Sequence, residues 1–166
     1  MWRETACPFR LFLRHPTRQG DDRMSNPNID ALNDVTKTLI DSQKGYEKVA
    51  EVADDNHALR NQFQTLAHER SELVTAFQAR VRDLGGEPVT DGGAAGAMHR
   101  AWADFTSLFT KDEKAALEAV DDGEEYLAER AESRLKEKEL DTETVELLRR
   151  AHGSARHGEK FADANT

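Results

Sequence analysis

From Ile29 onward the chain contains one proline, Pro88, and on either side of it apolar residues recur at the spacing of an α-helix. A proline inside a helix removes a hydrogen bond and clashes with the preceding turn, so stretches this free of it can run as long unbroken helices. At 100° per residue, Leu32, Leu39, Tyr46 and Ala50 form one stripe of a helix over about 29–54, with Asn28 as its expected cap. A second helix over about 57–84 carries Leu59, Phe63, Leu66, Leu73, Val74, Phe77, Val81 and Leu84 on one face. Asp54, Asp55 and Asn56 supply turn and capping oxygens between them, and so short a turn makes the pair antiparallel. Gly85-Gly86 then stops the second helix, because glycine takes the left-handed conformation without steric cost.

Residues 85–111 break this pattern. "GGEPVTDGGAAG" reads as a loop, and "AMHRAWADFTSLF" places Met98, Ala101, Trp102, Phe105, Leu108 and Phe109 at helical spacing, a short amphipathic helix inside a long connection. A third long helix is expected after Thr110, whose hydroxyl can form a capping box with Glu113, and it presents Leu117, Val120, Leu127, Ala128, Ala131 and Leu135. The last helix is expected from Asp141 or Thr142, with Val145, Leu148, Ala151 and Ala155 turned inward. A helix of about 28 residues is about 40 Å long, so a connection of this size can travel the whole bundle and set the third helix parallel to the second. The expected fold is all-α: a ferritin-like four-helix bundle with a long crossover carrying a short extra helix.

Composition bounds the rest. With 37% hydrophobic and 33% charged residues among 166, the chain suits one compact, mostly helical domain. The first 23 residues stand apart: five arginines against Glu4, Asp21 and Asp22 give +2, which leaves −11 on the 143 residues from Met24 onward. Their apolar cluster, Phe9 and Leu11 to Leu13, is split by Arg10 and closed by Arg14, so it lacks the continuous apolar core of a signal peptide. Residues 1–23 are read as a disordered extension, with a start-site artefact upstream of a native start at Met24 as the first reading and a genuine targeting or interaction tail as the alternative, and residues 24–166 as the bundle domain. The overall charge of −9 argues against nucleic acid and anionic membrane surfaces as partners. No apolar run reaches the roughly 18 residues of a membrane span, and the single cysteine, Cys7, fits a reducing cytoplasm.

"DSQKGYEKVAE", "LAHERSELV", "LGGEPVTDGGAAGAMHRAWADF" and "DDGEEYLAER" together resemble a bacterial ferritin-like four-helix-bundle family catalogued as domain of unknown function 2383. The resemblance runs over residues 29 to about 163, and the Gly-rich crossover followed by His99-Arg100-Ala101-Trp102 is its most specific part. It implies the fold strongly and a function hardly at all, since architecture does not assign chemistry.

Chemistry has to be sought at mid-bundle. A di-iron carboxylate bundle takes one Glu from each of two helices and Glu-x-x-His from each of the other two, because carboxylates bridge the metals and imidazoles cap them. On the second helix Glu69 falls at the edge of the apolar face, Glu72 and His68 point outward, and Arg70 lies near the centre. Glu124 is central on the third helix between Val120 and Ala128, Gln43 is central on the first with Glu47 at its flank, and His152 is near the inner face of the fourth. Neither Glu-x-x-His pair exists: Glu72 stands three residues after Glu69, while Arg149 and Ser154 stand three before His152 and His157. A cation at Arg70 would repel metal ions and satisfy the acids itself. The expectation is a structural polar layer of Gln43, Arg70 and Glu124, with Glu124 pairing Arg70 and Glu47 and Glu69 flanking it. Iron on Glu47, Glu69, Glu124 and His152 is the alternative, and otherwise no cofactor is expected.

Other signals are weaker. His99-Arg100 beside Trp102 could grip an anion, but a Trp at helical spacing reads as core. His57, His68 and His157 read as exposed, and Asp121-Asp122 with Glu124-Glu125 lack the glycine turn and alternating oxygens of a calcium loop. There is no Ser-His-Asp signature, P-loop or dinucleotide fingerprint, so no catalytic residue is assigned. The functional expectation is a non-catalytic bundle acting through binding or assembly, with stress physiology implied by the distant ferritin-like resemblance. A metal-dependent oxidase or peroxide scavenger of rubrerythrin type is the alternative. An adaptor would need an outer apolar strip, for which Tyr126, Phe161 and Trp102 are the large candidates, and a homo-oligomer stays open.

Overall fold

A computed structural model describes residues 26–53, 56–93, 107 and 112–165. The extension 1–23 and the amphipathic stretch 98–109 as a helix lie outside the described residues, and the cap of the third long helix is Asp112, not the expected Thr110, so Glu113 is its first residue and not the partner in a capping box. Within them the fold is an all-α bundle of four helices: α1 (Pro27–Val52), α2 (His57–Asp83), α3 (Glu113–Leu135) and α4 (Thr142–Asn165).

Each helix starts where a side-chain oxygen can take an otherwise orphaned backbone N–H. For α1 that oxygen belongs to Asn26, which accepts from the Asn28 amide, with Pro27 as the first helical residue. The cap is therefore two residues earlier than Asn28, and Asn28 instead accepts the Asp141 amide at 2.8 Å with its own side chain. Asn56 caps α2, Asp112 caps α3 by accepting from Ala115, and Asp141 accepts the Thr144 amide at the start of α4. At the end of α2, Gly85 has a φ of 77°, and the amides of Gly85 and Gly86 donate to the carbonyls of Arg82 and Val81. That pair of bonds is a Schellman stop, which any residue with a Cβ would resist.

The Asn28–Asp141 hydrogen bond sets the start of α4 beside the start of α1. At the opposite end Ala116 and Leu117 of α3 share a core with Val49 of α1 and Ala53 just after it, Leu59 and Phe63 of α2 and Ala162 of α4. The helices thus run up, down, down, up: α1 packs along α2, α3 along α4, and narrower contacts join α1 to α3 and α2 to α4. The connection after α2 climbs back along α1. Asn33 bonds the Glu87 carbonyl and the Val89 amide, and Asp41 accepts the Gly93 amide at 3.1 Å, eight residues or about 12 Å further along the helix.

The buried residues fall into two apolar clusters. One, at the end where α1 begins, contains Leu32, Val35, Leu39, Phe77, Val81, Leu127 and Leu148. The other holds Tyr46, Val49, Phe63, Leu66 and Leu117, with Phe161 edge-on to Phe63 at 5.4 Å between ring centroids. Phe161 is therefore a packing residue and not part of an outer strip, whereas Tyr126 is 54% exposed. No helix among the described residues is long and apolar enough to cross a membrane.

Candidate functional site

Between the two apolar clusters lies a layer of polar side chains, one or two from each helix. Arg70 of α2 has no solvent exposure and is the largest fully buried side chain described, and Glu124 of α3 is 3% exposed. A buried guanidinium without partners would be very costly, and this one is surrounded. Its Nη2 donates to Glu124 Oε2 and, at 3.3 Å, to the Ser154 carbonyl, its Nη1 donates to Ser154 Oγ, and its Nε donates to Ser42 Oγ at 3.1 Å. The other carboxylate oxygen, Glu124 Oε1, accepts the Tyr46 hydroxyl at 2.5 Å and the Ser42 hydroxyl at 3.3 Å. The guanidinium also stands 5.8 Å from the centroid of the Tyr46 ring, within cation–π range.

Burial pushes the Glu124 carboxyl above the usual range, against the Arg70 charge and the Tyr46 and Ser42 hydrogen bonds that hold it down. Burial likewise lifts the Tyr46 phenol, reinforced by the neighbouring Glu124 charge. The Tyr46 shift suits a phenol that stays protonated and donates, whereas burial works against the Glu124 carboxylate, which the Arg70 charge and the two hydroxyl hydrogen bonds favour.

Gly158 of α4 makes room for the acid. A Cβ at that position would sit 2.6 Å from Glu124 Cδ and 2.7 Å from Oε2, so the carboxylate lies directly against helix backbone. Alanine would favour the helix, yet the close approach requires glycine.

The residues singled out from periodicity divide sharply. Arg70 and Glu124 meet in the layer. Gln43 does not join them: its amide turns outward and donates to Glu47 at 2.9 Å, because its direction on α1 falls on the side that α2 only partly covers. Glu47 is exposed, and Glu69 is half-exposed with the His157 imidazole 3.8 Å away on the surface. His68 and Glu72 face solvent, as their spacing requires, and His152 is half-buried without reaching Glu124. Among the described residues no three His, Cys, Asp or Glu side chains converge where a metal ion could sit. The groups around Glu124 are a guanidinium and two hydroxyls, a donor set that does not fit two metal cations.

Periodicity missed three members of the layer. Tyr46 read as an apolar stripe residue, which its ring is, and its hydroxyl gave no separate signal. Ser42 and Ser154 are short polar residues that would pass for solvated face. The one available signal was that Ser42 lies four residues before Tyr46 and Ser154 four before Gly158, one turn along the same face in each case.

Residues 28–137 match the family described as Domain of unknown function (DUF2383). The chain belongs to this family. The domain of unknown function spans α1, α2, the connection and α3 and ends before α4, a shorter span than the 29 to about 163 of the resemblance. Ser42, Tyr46, Arg70 and Glu124 lie inside the matched residues, whereas Ser154 and Gly158 lie outside them. No curated protein and no solved structure matches the chain.

Proposed function

We propose that this DUF2383 chain is a ferritin-like bundle that works through binding or assembly and not through metal-dependent oxidation. On this reading the Arg70–Glu124 layer stands where a ferritin-like oxidase would carry its two irons. The supporting observation is that both oxygens of Glu124, the buried acid among the described residues, are already engaged by Arg70, Tyr46 and Ser42. A carboxylate bridging two metals would have to give up these bonds and leave a buried guanidinium uncompensated beside the metals. A cytoplasmic setting in stress physiology belongs to the same proposal.

The test is aerobic addition of Fe(II) to metal-free protein. The expected result is no tight uptake of two irons per chain, no oxo-bridged absorption in the visible range and no ferroxidase turnover. Sub-micromolar binding at that stoichiometry would overturn the reading in favour of a rubrerythrin-type oxidase.

A further inference from the structure

Two neighbouring helices carry opposite charge on their outer sides. Over residues 118–129 α3 has six acids, one of them the buried Glu124, and no Lys or Arg. Over residues 149–160 α4 has Arg149, Arg150, Arg156 and Lys160 against one acid, Glu159, in a chain whose net charge is −9. Arg156 turns to Glu159 on its own helix, at 2.7 and 2.9 Å. Arg149, Arg150 and Lys160 are exposed and form no ion pair among the described residues, unlike Arg70, Arg80, Arg130 and Arg134, each of which holds an acid of another helix.

The helical period decides which way these groups point. On α4 Ser154 turns to Arg70 of α2, and at 100° per residue the side opposite Ser154 carries Arg149, Arg156 and Lys160. On α3 Arg130 and Arg134 turn to Asp34 of α1, and the side opposite them carries the exposed Glu118, Glu125 and Glu129. The α3–α4 pair therefore has one outer face, acidic along α3 and basic along α4, turned away from α1 and α2. These helices are antiparallel with Gly158 against Glu124, which sets Arg156 about level with Glu125 and Lys160 one turn further toward Glu118.

We propose that this face pairs with the same face of a second copy about a two-fold axis parallel to the helices, the basic side of α4 on the partner's acidic α3. A two-fold contact uses one patch on both chains, so the patch must complement itself. An axis along the helices exchanges left and right and keeps height, which lays α3 of each copy over α4 of the other with opposite charges level. An axis across them would lay acid on acid. Tyr126 is the large apolar side chain exposed among the described residues, so charge and not apolar burial holds this contact, and salt weakens it. The pairing gives the assembly named in the proposed function a surface and a partner, and rests on that reading.

Sedimentation equilibrium of the full metal-free chain from about 10 to 300 μM in low salt is expected to show monomer and dimer, with association weakened at least about tenfold in about 0.5 M salt. Arg149→Glu with Lys160→Glu puts acids on both sides of the contact, and Glu125→Lys with Glu129→Lys puts cations there. Each double variant alone should dimerise at least about tenfold more weakly than the parent, with helical content and melting retained. Mixed, the two should pair with each other about as tightly as the parent pairs with itself, because both contacts then join opposite charges. Should a variant misfold, the concentration and salt series of the parent still decides. The proposal fails if the parent stays monomeric over this range, if species larger than a dimer form, or if the folded variants do not associate on mixing. A monomer that takes up no iron would end this pairing and leave the non-catalytic reading standing, so the two can fail independently.

Discussion

At mid-bundle one ion pair, Arg70–Glu124, is sealed from solvent. At the end where α1 begins, Asp34 is shared near the surface by Arg130 at 2.6 Å and Arg134 at 2.8 Å. The end pairs are redundant: Arg134 also reaches Glu137 at 2.7 Å, and Arg80 holds both Asp141 and Glu143. Loss of one partner there leaves its mate a second acid or water. In the middle Arg70 has no solvent exposure and Glu124 is 3% exposed, so each hydroxyl around the pair helps to offset a desolvation cost that can exceed the Coulomb attraction alone. The same chemistry therefore acts as a latch at the end and as a requirement at the centre.

The largest way to break this contrast is Glu124→Ala, which strands the guanidinium and should cost roughly 3 to 5 kcal/mol in urea unfolding of the metal-free protein. Arg70→Leu combined with Glu124→Leu should be near neutral or stabilising, because it removes both buried charges. A loss below about 1 kcal/mol for Glu124→Ala would make the buried pair no different from a surface one.

Next is Gly158→Ala, whose Cβ must displace the carboxylate from α4; overpacking of this kind costs roughly 1 to 3 kcal/mol even though alanine favours the helix. A variant as stable as the parent would show that the layer can shift without loss.

Asp34→Asn tests the latched end and should cost about 1 kcal/mol at neutral pH, a value kept low because its partner Arg130 is half-exposed and screened. Burial would raise the Asp34 carboxyl, but the hydrogen bonds and charges of Arg130 and Arg134 outweigh it and hold it below the usual value. A depressed carboxyl contributes stability above its unfolded value of about 3.9 and loses it as pH falls through the lower folded value. The cost of Asp34→Asn should therefore shrink in that window, and unfolding midpoints followed from neutral pH downward would show it. Glu124 has the opposite sign: its raised carboxyl makes ionisation work against the folded state as pH rises through its folded value. A cost at Asp34 that persists at low pH would mean that charge is not what holds the latch.

The smallest effect is expected at Gly153→Ala on the same helix as Gly158. Nothing lies within 4 Å of the added Cβ, so the gain in helix propensity should stabilise by roughly 0.5 to 1 kcal/mol. Destabilisation there would remove the distinction between the two glycines of α4.

Much of the buried layer is legible in the periodicity of the chain, for a definite reason. The 3.6-residue period gives the direction of every side chain around its own axis, and that is enough to place Phe63, Leu66, Leu73 and Phe77 inside with Arg70 among them. Burial of a guanidinium then demands an acid, and Glu124 is central on α3. The helix ends are less legible, because several residues near each turn carry a capping oxygen. Asn26 takes the role at α1, and Asn28 is left to tie α1 to the start of α4.

Within the described residues the sequence by itself determined four helices, the buried face of each except at the start of α4, where Thr144 is buried and Val145 only partly so, and the need for a charge partner at Arg70. Only the tertiary structure decided the other members of the layer, because an angle about one helix axis carries no information on how far its neighbour has slid or turned. The packing of α4 against α2 brings Ser154 to Arg70, and that of α1 against α3 brings Ser42 and Tyr46 to Glu124. The same packing leaves Gln43 facing Glu47 at the surface, although Gln43 is as polar as Ser42 and its neighbour in the chain. Slide and rotation are set by how side chains of two helices interdigitate, a property of the pair that neither helix carries alone.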